Sequence, residues 1–230
     1  MKVFVINAYS DRTDKYDENY TMFPAYWWED IDDEKTDMFN FRWNCKSDLR
    51  KKICACTLSH LEMIKKIVLE DLKDIVICED DCMIDDYELL KKTTELLPTD
   101  ELTYLGGQIN SPLVKDYRKF EKTLKKNVIE KIKNDKKLIN EIDNESFRIT
   151  HCCCYYIPNK KVAQNILDSI QDIYTGTRKM RAIDVCFHEL QKRKIITKFV
   201  FPAQGTLHIP DAKKGFTFST YKLNDNQLEY

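Results

Sequence analysis

The run Ile75-Val76-Ile77-Cys78-Glu79-Asp80-Asp81-Cys82 is the segment that most constrains this chain. Its apolar residues do not alternate with polar ones, so it reads as a strand covered on both faces, as in a parallel sheet between helices. Three acids at the carboxyl end of such a strand crowd one another, and carboxylates are costly to desolvate. A hard divalent cation is the natural counter-charge, because carboxylate oxygens are the ligands Mg2+ and Mn2+ prefer. The carboxyl ends of strands are also where open α/β sheets hold ligands. A solvated turn that happens to be acidic is the plainer alternative.

The neighbouring segments fit that frame. Residues 2–6 read as an apolar strand ending in the polar loop Asn7-Ala8-Tyr9-Ser10-Asp11-Arg12. Residues 14–50 are aromatic and acidic with little periodicity, and read as a loop-rich layer that packs on the core or lines a cleft. Leu61, Ile64, Val68 and Leu72 recur at helical spacing after Thr57-Leu58-Ser59-His60, which places a helix start there. A second helix uses Tyr87, Leu90, Thr94 and Leu97 and stops at Pro98. Residues 102–107 read as a strand running into a glycine turn, and residues 149–157 as another strand. Pro158-Asn159 opens a helix on Val162, Ile166 and Ile170, and a further helix spans residues 182–192. Residues 195–201 form a last strand, followed by a loop-rich tail. Strands alternating with helices imply βαβ units and a three-layer α/β domain with a mostly parallel central sheet. The stretch 115–145 is dense in charge, with Phe120, Leu124, Val128 and Ile132 spaced by four. It is expected as a helical insertion within one domain spanning 1–230.

Composition removes several classes. Charges of both signs nearly cancel to a net -1, so the broad basic footprint of a nucleic-acid binder is absent. No apolar run is long enough for a signal peptide or a membrane span. Nine cysteines, an odd number, are then expected as reduced thiols in a cytoplasmic compartment. Cys54-x-Cys56, Cys78-x3-Cys82 and Cys152-Cys153-Cys154 lack the two-residue spacing of zinc knuckles and read as buried thiols.

The order of these motifs resembles glycosyltransferase family 25. The resemblance is carried by Val3-Phe4-Val5-Ile6-Asn7 with Asp11-Arg12, by Cys56-Thr57-Leu58-Ser59-His60, and by Val76-Ile77-Cys78-Glu79-Asp80-Asp81. Cys154 to Ile157 as a strand, the helix after Asn159, and Ile183-Asp184 extend it. Ala55 stands where the family usually has glycine, and His151-Cys152-Cys153 where it has Gly-Thr or Gly-Ala.

The resemblance implies a GT-A-type, metal-dependent transferase that moves a sugar from a UDP-sugar or similar donor to a hydroxyl of a glycan acceptor, with inversion. It implies Mn2+ or Mg2+ on Asp81, with Asp80 and Glu79 serving the ribose or the metal. Asn7, Asp11 and Arg12 would meet the nucleoside. Ser59 and His60, at the expected helix start, would face phosphate or hydroxyl groups, though Ser59 reads equally as an N-cap and His60 as a structural histidine. Asp184 is implied as the base that takes the acceptor proton, with a helix cap as the plainer role; His188, one turn on, could pair with it. His208 lies between Gly205 and Pro210 and, by analogy with the fold, would complete the metal site from the tail, with a loop histidine that only packs as the plainer reading. A metal-dependent phosphatase or nuclease would need further acidic or histidine clusters. A non-catalytic relative binding glycans or a partner through the aromatic segment is the other reading.

Overall fold

The computed structural model describes residues 1–8, 16–41, 46–80, 82–84, 86–110, 127, 130–132, 134–135, 137–145, 147–175, 179–200 and 206–208. In chain order the strands are β1 (Lys2–Asn7), β2 (Tyr20–Pro24), β3 (Ile75–Glu79), β4 (Cys82–Ile84), β5 (Thr103–Asn110), β6 (Ile139–Glu141), β7 (Arg148–Ile157), β8 (Lys198–Val200) and β9 (Thr206–His208). The helices are α1 (Asp33–Asp37), α2 (Ser47–Leu69), α3 (Tyr87–Thr94), α4 (Lys160–Ile173) and α5 (Ile183–Lys192), with a 3-10 turn at Trp28–Asp30.

A seven-stranded sheet in the order β2-β1-β3-β7-β5-β8-β6 forms the middle layer. β1 pairs in parallel with β2 and β3, and β5 in parallel with β8. β7 is antiparallel to both β3 and β5, and β6 is antiparallel to β8. β1, β2, β3, β5 and β8 therefore share one direction, so the sheet is mostly parallel and compatible with a GT-A-like α/β fold.

Period-2 alternation explains the layering. Phe4, Ile6, Ile75, Ile77 and Tyr155 point into one apolar cluster, with Leu61 and Ile64 of α2, Val162 and Ile166 of α4, and Phe187 of α5. Their strand neighbours Val3, Val5, Val76, Cys78 and Tyr156 point into a second, with Leu90 of α3 and Leu97. α4 starts where its sequence requires: the Asn159 side chain accepts from the Val162 amide at 3.0 Å.

Four segments differ from the sequence expectation. α2 begins at Ser47, ten residues before Thr57, so Ser59 and His60 lie mid-helix and not at a helix start. The early turns of α2 bury Cys54, Ala55 and Thr57, small or polar residues that give no strong apolar signal. Cys54 and Ala55 are covered by a third cluster holding Ile31 and Phe39 with Trp28, so residues 14–50 include a cap for α2 as well as strand β2. β5 runs through Gly106 and Gly107, with register shifts around Gly106 in place of the expected turn. The expected last strand begins only at Lys198, as β8, its expected end at 201 lying outside the described residues, and the tail contributes β9. Within the charged stretch 115–145, the described residues are helical at 127, 130–132 and 134–135, and Ile139–Glu141 is the edge strand β6.

Candidate functional site

Parallel pairing of β1 with β3, in the register Ile6↔Glu79, sets their carboxyl ends side by side. The two ends are then tied. The Asp80 amide donates to the Ile6 carbonyl at 3.1 Å, and Asp80 Oδ2 accepts from the Ala8 amide at 2.7 Å. Asp80 is buried at 4% exposure, so this carboxylate faces the interior of the turn and not bulk water. Tyr16 closes the turn from the other side, its hydroxyl donating to the Cys82 carbonyl at 2.5 Å. Asn7, at the end of β1, keeps its Oδ1 buried without a hydrogen-bond partner.

α2 forms the facing wall. His60 is fully buried, with Nδ1 2.8 Å from the Tyr155 hydroxyl and Nε2 3.1 Å from Glu79 Oε1. A carboxylate oxygen only accepts, so the imidazole proton belongs on Nε2, and Nδ1 accepts from Tyr155. Cys56, one turn earlier, places its Sγ 3.7 Å from the same Glu79 oxygen. Ser59 accepts from the Tyr26 amide at 2.9 Å and donates to the Ala55 carbonyl at 2.7 Å. It is therefore neither an N-cap nor the start of a helix. Its hydroxyl pins the Tyr26-Trp27-Trp28 segment against α2, and the Lys52 ammonium rests over the Trp28 ring at 4.9 Å.

Between these walls lies a cleft of about 190 Å³, lined by Ala8, Tyr26, Trp27, Trp28, Lys52, Cys56, Ser59, His60, Glu79 and Asp80. The structure thus brings Ser59, His60, Glu79 and Asp80 together. Asp81, Asp11 and Arg12 lie outside the described residues. For His208 the backbone is described: β9 pairs with β4 in the register Cys82↔His208, which sets His208 opposite the residue that follows Asp81. Asp184 is the second residue of α5 and is not among the cleft-lining residues. The amide before it, of Ile183, donates to Thr57 Oγ1 at 3.0 Å, so the start of α5 is fastened to α2 beside Cys56. His188 meets the Arg148 guanidinium at 3.1 Å. Burial, then the Arg148 and Lys192 charges, hold its pKa down at about 4.

Cysteine chemistry divides the same way. Cys54, Cys78, Cys82, Cys154 and Cys186 are buried as expected, and burial pushes the Cys54 thiol up to about 11. Cys56 is the exception, exposed at the cleft. With His60 and Glu79 it forms the one group of three potential metal ligands among the described residues. The sequence points to neither Lys52 nor Tyr155 as a site residue, and its reading of Cys56 as a buried thiol is corrected here. An i, i+4 Cys/His pair on one helix face was a usable signal for Cys56. Tyr155, 95 residues from its partner His60, had none.

A mostly parallel α/β sheet with a carboxylate-bearing cleft at its strand ends has that cleft where open α/β sheets hold ligands. The chain belongs to glycosyltransferase family 25: the model of that family, described as glycosyltransferase family 25 (LPS biosynthesis protein), matches residues 6–187. It is accordingly a glycosyltransferase, whose partners are a sugar donor and a glycan acceptor. The comparison with curated proteins found no match. No helix among the described residues is long and apolar enough to cross a membrane.

Proposed function

We propose that this transferase moves a sugar from a UDP-sugar to a hydroxyl of a glycan or glycoconjugate, with inversion and with Mn2+ or Mg2+, within one GT-A-like domain. The observation that carries the reading is the tied end of β1 and β3, where the buried Asp80 carboxylate holds the Ala8 amide and Glu79 opens on the cleft. Carboxylate oxygens are a fitting donor set for a hard cation, and Asp80 with Asp81 would hold it. The β4–β9 pairing supports His208 as a further ligand, because it brings that backbone beside the acidic turn. When bound, such an ion neutralises the charge that grows on the leaving diphosphate.

The protein's own groups supply the rest. Asn7 Oδ1, a buried acceptor without a partner, is suited to a donor N–H of the nucleobase or a ribose hydroxyl. Glu79, held by His60 Nε2, keeps a fixed orientation toward the ribose, and Ser59 keeps the aromatic wall in place. Asp11 and Arg12 would meet the nucleoside and its phosphates. Asp184 takes the acceptor hydroxyl proton as the oxygen attacks the anomeric carbon and the diphosphate departs from the opposite face. A reducing, cytoplasmic compartment suits the thiols of Cys54, Cys56, Cys78, Cys82, Cys154 and Cys186.

The test is Mn2+-stimulated turnover of a panel of UDP-sugars. Asp81→Ala is expected to abolish it while leaving the thermal midpoint unchanged or raised, since losing one of three crowded acids relieves repulsion. Full metal-dependent activity in that variant would remove Asp81 from the site. Asp184→Asn is expected to lower turnover roughly 100-fold or more with donor binding intact. Unchanged turnover at saturating acceptor would reduce Asp184 to a helix-terminal charge.

A further inference from the structure

Cys56, His60 and Glu79 offer a donor set that a sugar-nucleotide site does not call for. Cys56 and His60 share one face of α2 at i, i+4 spacing, and Glu79 reaches them from the end of β3. One ligand atom from each lies within 4.8 Å of the others. His60 Nε2 and Cys56 Sγ are 3.1 and 3.7 Å from the same Glu79 oxygen. Around a tetrahedral ion with bonds of about 2.0–2.2 Å to nitrogen or oxygen and about 2.3 Å to sulfur, neighbouring ligands sit roughly 3.3 Å (N···O) and 3.6 Å (S···O) apart. The two spacings to the Glu79 oxygen, 3.1 and 3.7 Å, lie close to those values, and the ligand atoms of Cys56 and His60 are within 4.8 Å of each other.

Three further features fit an ion site. The imidazole is oriented from behind by the Tyr155 hydroxyl at 2.8 Å, as histidine ligands are held by an outer partner. The thiol is exposed while the imidazole is buried, so the group is open on the cleft side and closed beneath. Three protein ligands also leave a fourth position free, as in open zinc sites. Thiolate and imidazole select borderline-soft ions over Mg2+ or Mn2+, whereas Asp80 and Asp81 offer oxygen alone.

We infer that Cys56, His60 and Glu79 form a binding site for a divalent ion of the Zn2+ class, distinct from the hard-cation site proposed at Asp80 and Asp81. On loading, the Cys56 thiol releases its proton to solvent, and the imidazole carries its single proton on Nδ1, toward the Tyr155 oxygen. The inference goes beyond the transferase reading and does not rest on it. Glu79 is shared between them, so an ion held there takes that carboxylate from the donor.

Titration of the full chain with Co2+, followed by thiolate-to-cobalt charge-transfer absorption, tests the site without reference to activity. The expected result is a single Co2+ per chain with a thiolate band that Zn2+ displaces and excess Mg2+ does not. Cys56→Ser, at an exposed position, abolishes the band. Tyr155→Phe keeps it and weakens Co2+ affinity about 10-fold. Asp81→Asn retains the band while losing Mn2+-stimulated turnover, so the two proposals fail separately. Absence of a thiolate band, or a band that survives Cys56→Ser, overturns the inference.

Discussion

The two halves of the central sheet use polar residues in opposite ways. On one side β2, β1 and β3 run parallel, so their carboxyl ends meet at a single edge, and the polar groups there stay open: Cys56 is exposed and Glu79 keeps 30% of its side-chain surface. On the other side β7, β5, β8 and β6 mix directions, and several buried polar groups there are paired within the fold, although Thr103 Oγ1 and Arg148 Nε are buried without a partner. Gln191 is fully buried; its amide donates to the Tyr104 hydroxyl and the Ile149 carbonyl at 2.8 Å and accepts from the Ile149 amide at 3.1 Å. It satisfies β7 where β3, which pairs only with residues 154–157, no longer reaches. Glu101 does the same for Thr197, accepting from its amide at 2.9 Å and its hydroxyl at 2.6 Å. Both halves spend hydrogen bonds on the fold; what sets the parallel half apart is that Cys56 and Glu79 also reach the cleft.

Asp80→Ala should strain that contrast most. It removes a carboxylate from the proposed cation site and the acceptor of the Ala8 amide, which holds the β1 loop to β3. Loss of one such preorganised group costs about 10²–10³-fold in turnover. Asp80→Asn keeps an oxygen for the Ala8 amide and loses only the charge. If Asn restores activity, Asp80 acts by holding the loop; if it fails as Ala does, the charge itself is used.

Gln191→Ala belongs to the other half and should show the reverse pattern. It leaves both backbone groups of Ile149 without partners in a buried place, at about 1–3 kcal/mol for each unsatisfied group. A fall of about 2–4 kcal/mol in unfolding free energy by denaturant titration, with turnover per folded molecule unchanged, is expected. A comparable loss of turnover would mean that the two halves are not separable.

The same division governs what could be read from sequence. β3 was legible because Ile75 to Cys78 are apolar without alternation, and α4 because Asn159 caps a clean 3.6-residue pattern. The direction of β7 was not, since a strand's residues do not record which way its neighbours run. The first three turns of α2 were missed because Cys54 and Ala55 pack under aromatics from residues 28–41 without forming an apolar stripe of their own. That error misplaced Ser59 and His60 at a helix start and hid the shared face of Cys56 and His60. Asp80 and Glu79 stood out as strand-end acids because like charges there demand a partner. Tyr155 and Thr57 were not, because their links to His60 and Ile183 span 95 and 126 residues.

The smallest expected effect is a pH dependence confined to the mixed half. His188 sits on α5 against Arg148 of β7, with Lys192 and Glu189 as its charged neighbours, and its pKa in the folded chain is held at about 4 against an ordinary 6.5. Below pH 6.5 the unfolded imidazole takes up a proton that the folded one refuses, so the unfolded state binds more protons and stability falls with falling pH. The contribution is complete above about pH 6.5 and is lost progressively toward pH 4. Because His188 is only half-buried, solvent screening reduces the effect to on the order of 1 kcal/mol. His188→Gln retains an oxygen that can accept from Arg148 but does not titrate. The thermal midpoint of the variant should therefore fall less than that of the parent between pH 7 and about pH 4.5. Parallel curves for the two proteins would show that His188 is protonated as readily in the fold as in water, and that the mixed half does not exclude charge as its hydrogen bonding implies.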